Sequence, residues 1–127
     1  MVSLDIYAGG FIVNSSASLD SISKKTTRAI YTLRYRRWGN GRDIIIFVLS
    51  DSNPLHRAFV KKQLHLFPHH LRKNWDRVLF SGLGQIPIQV KTEQELINSV
   101  SSTPNAIAYL SGNIPQNQNI KLLKVKN

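Results

Sequence analysis

Ile44-Ile45-Ile46-Phe47-Val48-Leu49 is an unbroken apolar run, mostly β-branched, closed by Asp43 on one side and Ser50 on the other. It is too short for a membrane span, which needs about 20 apolar residues. It also lacks the alternation of a strand with one wet face. Such a run suits a strand covered on both sides, and that requires a sheet with helices packed on it. Few architectures provide this, and the rest of the chain can be read against that requirement.

Other short apolar runs alternate with stretches of helical period. Ile6–Val13 reads as a strand, with Gly9-Gly10 marking a bulge or close approach, and Asn14–Ser18 as a polar loop. Ser21 or Ser23 is placed to cap a helix running to about Leu33, with Ile22, Ala29, Ile30 and Leu33 inward. Trp38-Gly39-Asn40-Gly41 is a turn. Pro54 suits the first turn of a helix reaching about His65. A second helix is expected over Pro68–Phe80, with Leu71, Trp75, Val78 and Leu79 on one face, and Ser81-Gly82-Leu83-Gly84 ends it.

Ile86–Lys91 reads as a strand, and Pro87 places it at a sheet edge. Thr92 with Glu95 three residues later forms a capping box for a helix ending near Ser102. Ala106–Leu110 is a strand, Gly112–Asn119 a polar loop, and Ile120–Val125 a candidate last strand. The order β-α-β-α-α-β-α-β predicts an α/β fold with a mostly parallel sheet of about five strands and helices on both faces. At 127 residues the chain, 1–127, is read as one domain.

The chain carries 17 basic against 7 acidic side chains, a formal charge of +10, which favours an anionic partner. It has no cysteine, so disulfide scaffolds, thiolate metal sites and cysteine nucleophiles are excluded. His56, His65, His69 and His70 have no carboxylate at ligand spacing, so they are read as surface histidines and no metal or cofactor is expected. No nucleophile–base pair or paired carboxylates point to catalysis. Residues Met1–Asp5 lack the basic start and apolar run of a secretory leader.

Ligands of open α/β sheets sit beyond the carboxyl ends of strands, where helices begin. Three polar loops are candidates for that edge: Asn14-Ser15-Ser16, Ser50-Asp51-Ser52-Asn53 and Ser81-Gly82-Leu83-Gly84, the last leading into a strand. At Ser50–Asn53 the choice is between an oxyanion held by unsatisfied N–H groups and hydroxyls, and an ordinary helix N-cap. At Ser81–Gly84 it is between close backbone approach to a ligand and a helix C-cap. Two basic stretches, Lys24–Arg37 with Tyr31 and Tyr35 interleaved, and Arg57–Arg77, fit either single-stranded nucleic acid or a solvated face. No nucleic-acid-binding motif accompanies them, so nucleic acid is not the expected partner.

Taken in order, several segments resemble the phosphate-type periplasmic substrate-binding proteins of ABC transporters. Ala29-Ile30-Tyr31-Thr32 with Trp38-Gly39-Asn40-Gly41 is similar to the family's helix and W-x-x-G stretch. Ser50-Asp51-Ser52-Asn53-Pro54-Leu55, ending at Phe59, is similar to its R-S-D-G-S-G-T segment. Asn74-Trp75, Phe80–Gly84 and Asn105–Leu110 resemble its later W, G-x-G and G-x-I-G-Y-V elements. The resemblance spans roughly residues 12 to 111 and implies one lobe of the type II periplasmic-binding-protein kind, a single three-layer αβα unit. The small single-lobe members also open with a strand and an asparagine-serine loop such as Asn14-Ser15-Ser16.

It further implies a non-catalytic solute-binding role, a small anion such as phosphate as ligand, an ABC transporter or envelope protein as partner, and a periplasmic location. Ser50 and Asp51 carry over directly, and Gly82 and Gly84 by loop position. Ser52, Asn53, Ser81, Asn14 and Ser15 complete the expected ligand-binding set. In the family the Asp accepts a hydrogen bond from protonated phosphate; here Asp51 is alternatively a helix cap. Leu49 replaces the family's Arg, and Asn53, Pro54 and Leu55 stand where serine, glycine and threonine present donors. Pro54 has no N–H to offer. A single lobe leaves one side of the ligand in water, so weak binding, a face-to-face homodimer or a partner lobe is implied. A protein- or acidic-polymer-interaction module on the same scaffold, or a basic nucleic-acid-binding domain, is the alternative.

Overall fold

The computed structural model describes residues 9–82, 84–112 and 119–126. The expected beginning of the first strand at Ile6, Leu83 and most of the Gly112–Asn119 loop lie outside the described residues. The elements run β1 (Gly10–Asn14), β2 (Ser21–Ser23), α1 (Lys24–Tyr31), β3 (Ile45–Val48), α2 (Pro54–Lys62), α3 (Pro68–Ser81), β4 (Ile88–Gln89), α4 (Glu93–Ser102), β5 (Ala106–Leu110) and β6 (Ile120–Lys126).

All six strands join one sheet in the order β2-β6-β1-β5-β3-β4. β3 is parallel to β4 and β5, and β2 to β6, while β1 is antiparallel to both β5 and β6. Five strands therefore share one direction and β1 alone opposes them. The sheet is mostly parallel as expected, with six strands rather than about five. The additional one, β2, is three residues long and occupies the Ser21–Ser23 segment read as a helix cap. Ser23 does both jobs, accepting from Thr26 N at the start of α1.

Residues alternate faces along a strand. Phe11 of β1 and Tyr109 of β5 are register partners and meet Tyr31 of α1 and Phe59 of α2. Tyr109 stacks on Phe59 with centroids 4.3 Å apart, and Tyr31 meets Phe59 edge-on at 4.8 Å. Trp75 Nε1 donates to Tyr31 O at 2.8 Å and Asn74 Nδ2 to Thr32 O at 2.7 Å, which pins α3 to the end of α1. The opposite face carries α4, packed on β1, β3, β5 and β6. The result is three layers, αβα, with the β3 run buried from Ile46 through Leu49. Pro87 precedes β4, which forms the sheet's outer strand as its proline implied.

Candidate anion-binding rim

The common direction of β2, β6, β5, β3 and β4 gathers their carboxyl ends on one edge. Three helices start there: α1 after β2, α2 after β3 and α4 after β4. On this edge, between β5 and β4, Leu49 leaves β3 and the Ser50–Asn53 turn leads into α2, closed by Asn53 N donating to Ser50 O at 3.0 Å. Asn53, not Asp51, is the N-cap: its Oδ1 accepts from Leu55 N at 2.9 Å. Pro54 has no N–H, and Arg57 N donates to Asn53 O. The backbone N–H groups of Asp51, Ser52 and His56 are left without a partner among the described residues. Ser50 and Ser52 add two hydroxyls 3.3 Å apart, with Ser52 exposed. These donors lie at the positive end of α2.

Asp51 turns away from this turn. Arg72 of α3 grips it bidentately, Nε to Oδ2 at 2.9 Å and Nη2 to Oδ1 at 3.0 Å, and the guanidinium lies over Trp75, 5.0 Å from the ring centroid. The Arg72 hydrogen bonds hold the Asp51 carboxyl below the usual carboxylate range, and the same pairing raises Arg72. The Asp51 charge that would repel an anion is thus neutralised within the fold, and its oxygens are already engaged.

Behind the turn lies a buried relay. Leu49 N donates to Tyr109 Oη at 2.8 Å, and Tyr109 Oη lies 2.6 Å from His56 Nδ1. His56 Nε2 faces Asp51 Oδ1 at 3.8 Å and has no hydrogen bond within the described residues. A proton on Nε2 suits a carboxylate neighbour, so Nδ1 is the acceptor of the tyrosine proton. Burial pushes His56 down to about 4, so it is neutral near pH 7. His56, read as a surface histidine, is 1% exposed, whereas His65, His69 and His70 are exposed. Nothing in the spacing of His56 signals this, because its partner Tyr109 is 53 residues away.

The structure does not bring the other expected site residues to this rim. Because β1 opposes its neighbours, Asn14 and Ser15 at its end lie at the edge where β5 begins. Asn14 is buried, donates to Val100 O at 2.7 Å and Ser101 O at 3.3 Å, and accepts from Ser16 N at 2.9 Å. It caps the end of α4. Ser15 is exposed there, and its N–H donates to Asn119 O. Ser81, Gly82 and Gly84 also lie at that amino edge, because they precede β4, which is parallel to β3. Gly82 is the left-handed C-cap of α3 at φ 69°, and Ser81 Oγ donates back to Val78 O at 3.0 Å. A Cβ at Gly84 would collide with the Arg36 guanidinium. Thus Asn14, Ser15, Ser81, Gly82 and Gly84 are helix-capping or turn residues at the sheet's other edge, and only Ser50, Asp51, Ser52 and Asn53 share the carboxyl rim. That rim also holds Thr92, the N-cap of α4, and Glu93, which accepts from Ser111 N at 2.9 Å.

A three-layer α/β lobe with a polar turn at the carboxyl end of its buried strand β3 is the class that fold and site define. No protein-family model and no curated protein sequence matches the chain. Solved structures do share its fold. An ABC-type phosphate transport receptor from Vibrio cholerae superposes with a TM-score of 0.68 at 12% identity, covering 93% of this chain and 46% of that one. A protein assigned as a phosphate ABC transporter substrate-binding protein, with bound phosphate, from Clostridium perfringens gives 0.74 at 16% identity, covering 93% and 44%. PstS from Borrelia burgdorferi gives 0.63 at 16% identity, covering 93% and 47%. The chain therefore has the fold of periplasmic binding proteins and spans about half the length of these receptors. Among the described residues no helix is long and apolar enough to cross a membrane.

Proposed function

We propose that this chain is a non-catalytic, solute-binding-like lobe that holds a small oxyanion such as phosphate at the Ser50–Asn53 turn, weakly alone or more tightly beside a second lobe. The observation that carries this reading is the turn itself: N–H groups without partners among the described residues and a pair of hydroxyls bonded only to each other there, at the start of α2, next to a carboxylate already neutralised by Arg72. The shared fold with a neighbour whose structure holds phosphate supports it. Action beside an ABC transporter in the periplasm belongs to the same reading.

The strength expected follows from the donors. About four hydrogen bonds at about 1 kcal/mol net each give roughly 4 kcal/mol, a dissociation constant near 1 mM. Titration calorimetry with phosphate and with sulfate tests this directly. Millimolar binding that weakens when Ser50 and Ser52 are replaced by alanine supports it. Absence of heat at about ten times that concentration removes the small-anion reading and leaves the scaffold.

A further inference from the structure

A concave surface of about 650 Å³ opens between α2 and the start of α3. It shares only Asp51 and Ser52 with the turn discussed above. Arg57 and Lys61, four residues apart, lie on one face of α2 and line one wall. Arg72 and Lys73 of α3 line the other, with Phe67 at the N-cap of α3 and His69 in its first turn. Arg72 is spent on Asp51. Arg57, Lys61 and Lys73 have no ion pair among the described residues. Phe67 occupies the N-cap of α3 and cannot supply a side-chain cap, so the positive end of that helix adds to the field of the three cations. Phe67 is also 56% exposed, one of the larger apolar surfaces left in water, with His69 stacked against it at 6.0 Å.

Unpaired like charges around an exposed aromatic ring need a partner that offers both opposite charge and apolar surface. An inorganic oxyanion is far smaller than this concavity, since pockets of about 300–1,000 Å³ suit much larger ligands. Single-stranded nucleic acid uses successive aromatic platforms. This concavity offers one phenyl ring, beside Pro68 and the aliphatic stems of the basic side chains. We propose that the α2–α3 concavity docks an acidic polypeptide segment bearing an apolar side chain, its carboxylates meeting Arg57, Lys61 and Lys73 and its apolar group seated on Phe67. The proposal does not rest on phosphate binding at Ser50–Asn53, although the two places share Asp51 and Ser52, and either reading stands if the other fails.

The test is fluorescence anisotropy at low salt, using a fluorescein-labelled glutamate-rich peptide carrying one leucine, alongside oligo-dT of equal charge. Saturable peptide binding is expected. The triple variant Arg57→Ala, Lys61→Ala, Lys73→Ala weakens it about tenfold, and Phe67→Ala about fivefold. A charge-matched triple elsewhere, Arg34→Ala, Lys124→Ala, Lys126→Ala, stays within about twofold of the parent. Circular dichroism confirms that each variant is folded. The proposal is overturned if no peptide binds, if oligo-dT binds more tightly than the peptide, or if the distant triple weakens binding as much as the groove triple.

Discussion

Tyr109→Phe removes one oxygen and leaves the ring on Phe59 at 4.3 Å, so it isolates the relay behind the rim. Two buried groups lose their partner together: Leu49 N–H, which donates to Tyr109 Oη at 2.8 Å, and His56 Nδ1 at 2.6 Å. Leu49 and His56 are each 1% exposed, so water cannot replace the oxygen without the fold opening. A buried polar group left unsatisfied costs about 1–3 kcal/mol, so two of them put the variant roughly 2–6 kcal/mol below the parent. With a urea m-value of about 2 kcal/mol/M, the midpoint falls by about 1–3 M at unchanged slope. The double variant Tyr109→Phe/His56→Leu recovers at least about 1 kcal/mol relative to the sum of the single changes, since removing both partners leaves fewer orphans. A single-variant loss below about 0.5 kcal/mol, or strict additivity, would refute the relay.

Three more outcomes follow from the same geometry. His56 is held near 4 against an ordinary value of 6.5, so its contribution is complete above about pH 6.5 and is lost as pH falls toward 4, because the unfolded chain takes the proton first; the loss is about 3 kcal/mol, read from urea midpoints across that window, and it vanishes in His56→Leu. Asn14→Ala leaves the end of α4 and the Ser16 N–H without their partner and is expected to lower stability by about 2 kcal/mol while phosphate calorimetry is unchanged; an effect on phosphate instead would return Asn14 to the ligand site. Asn53→Ala removes the cap of α2 and costs about 1 kcal/mol in thermal or urea unfolding, whereas a neutral result would show that Asn53 does not cap that helix.

Local chemistry made much of the architecture legible. The unbroken apolar run at Ile44–Leu49 demanded a sheet covered on both faces, Pro54 opened α2 and Thr92 with Glu95 opened α4. Each of these signals acts between neighbours in the chain, so a linear reading finds it. Strand direction is different. β1 and β3 both looked like strands, but pairing across the sheet made β1 oppose the rest, and that reversal carried Asn14 and Ser15 to the far edge. The short β2 gains its hydrogen bonds from β6, a hundred residues later, and leaves no local pattern of its own.

The sequence alone determined that this chain is an α/β unit with a strongly basic surface and a polar turn after its buried strand, because periodicity, capping and charge are local or additive properties. Only the tertiary structure decided which polar residues meet. It turned Asp51 toward Arg72, buried His56 against Tyr109, and left Arg57, Lys61 and Lys73 beside Phe67 with no ion pair among the described residues. These outcomes depend on how helices settle on a sheet, where contacts between residues far apart in the chain outweigh the preference of any one side chain.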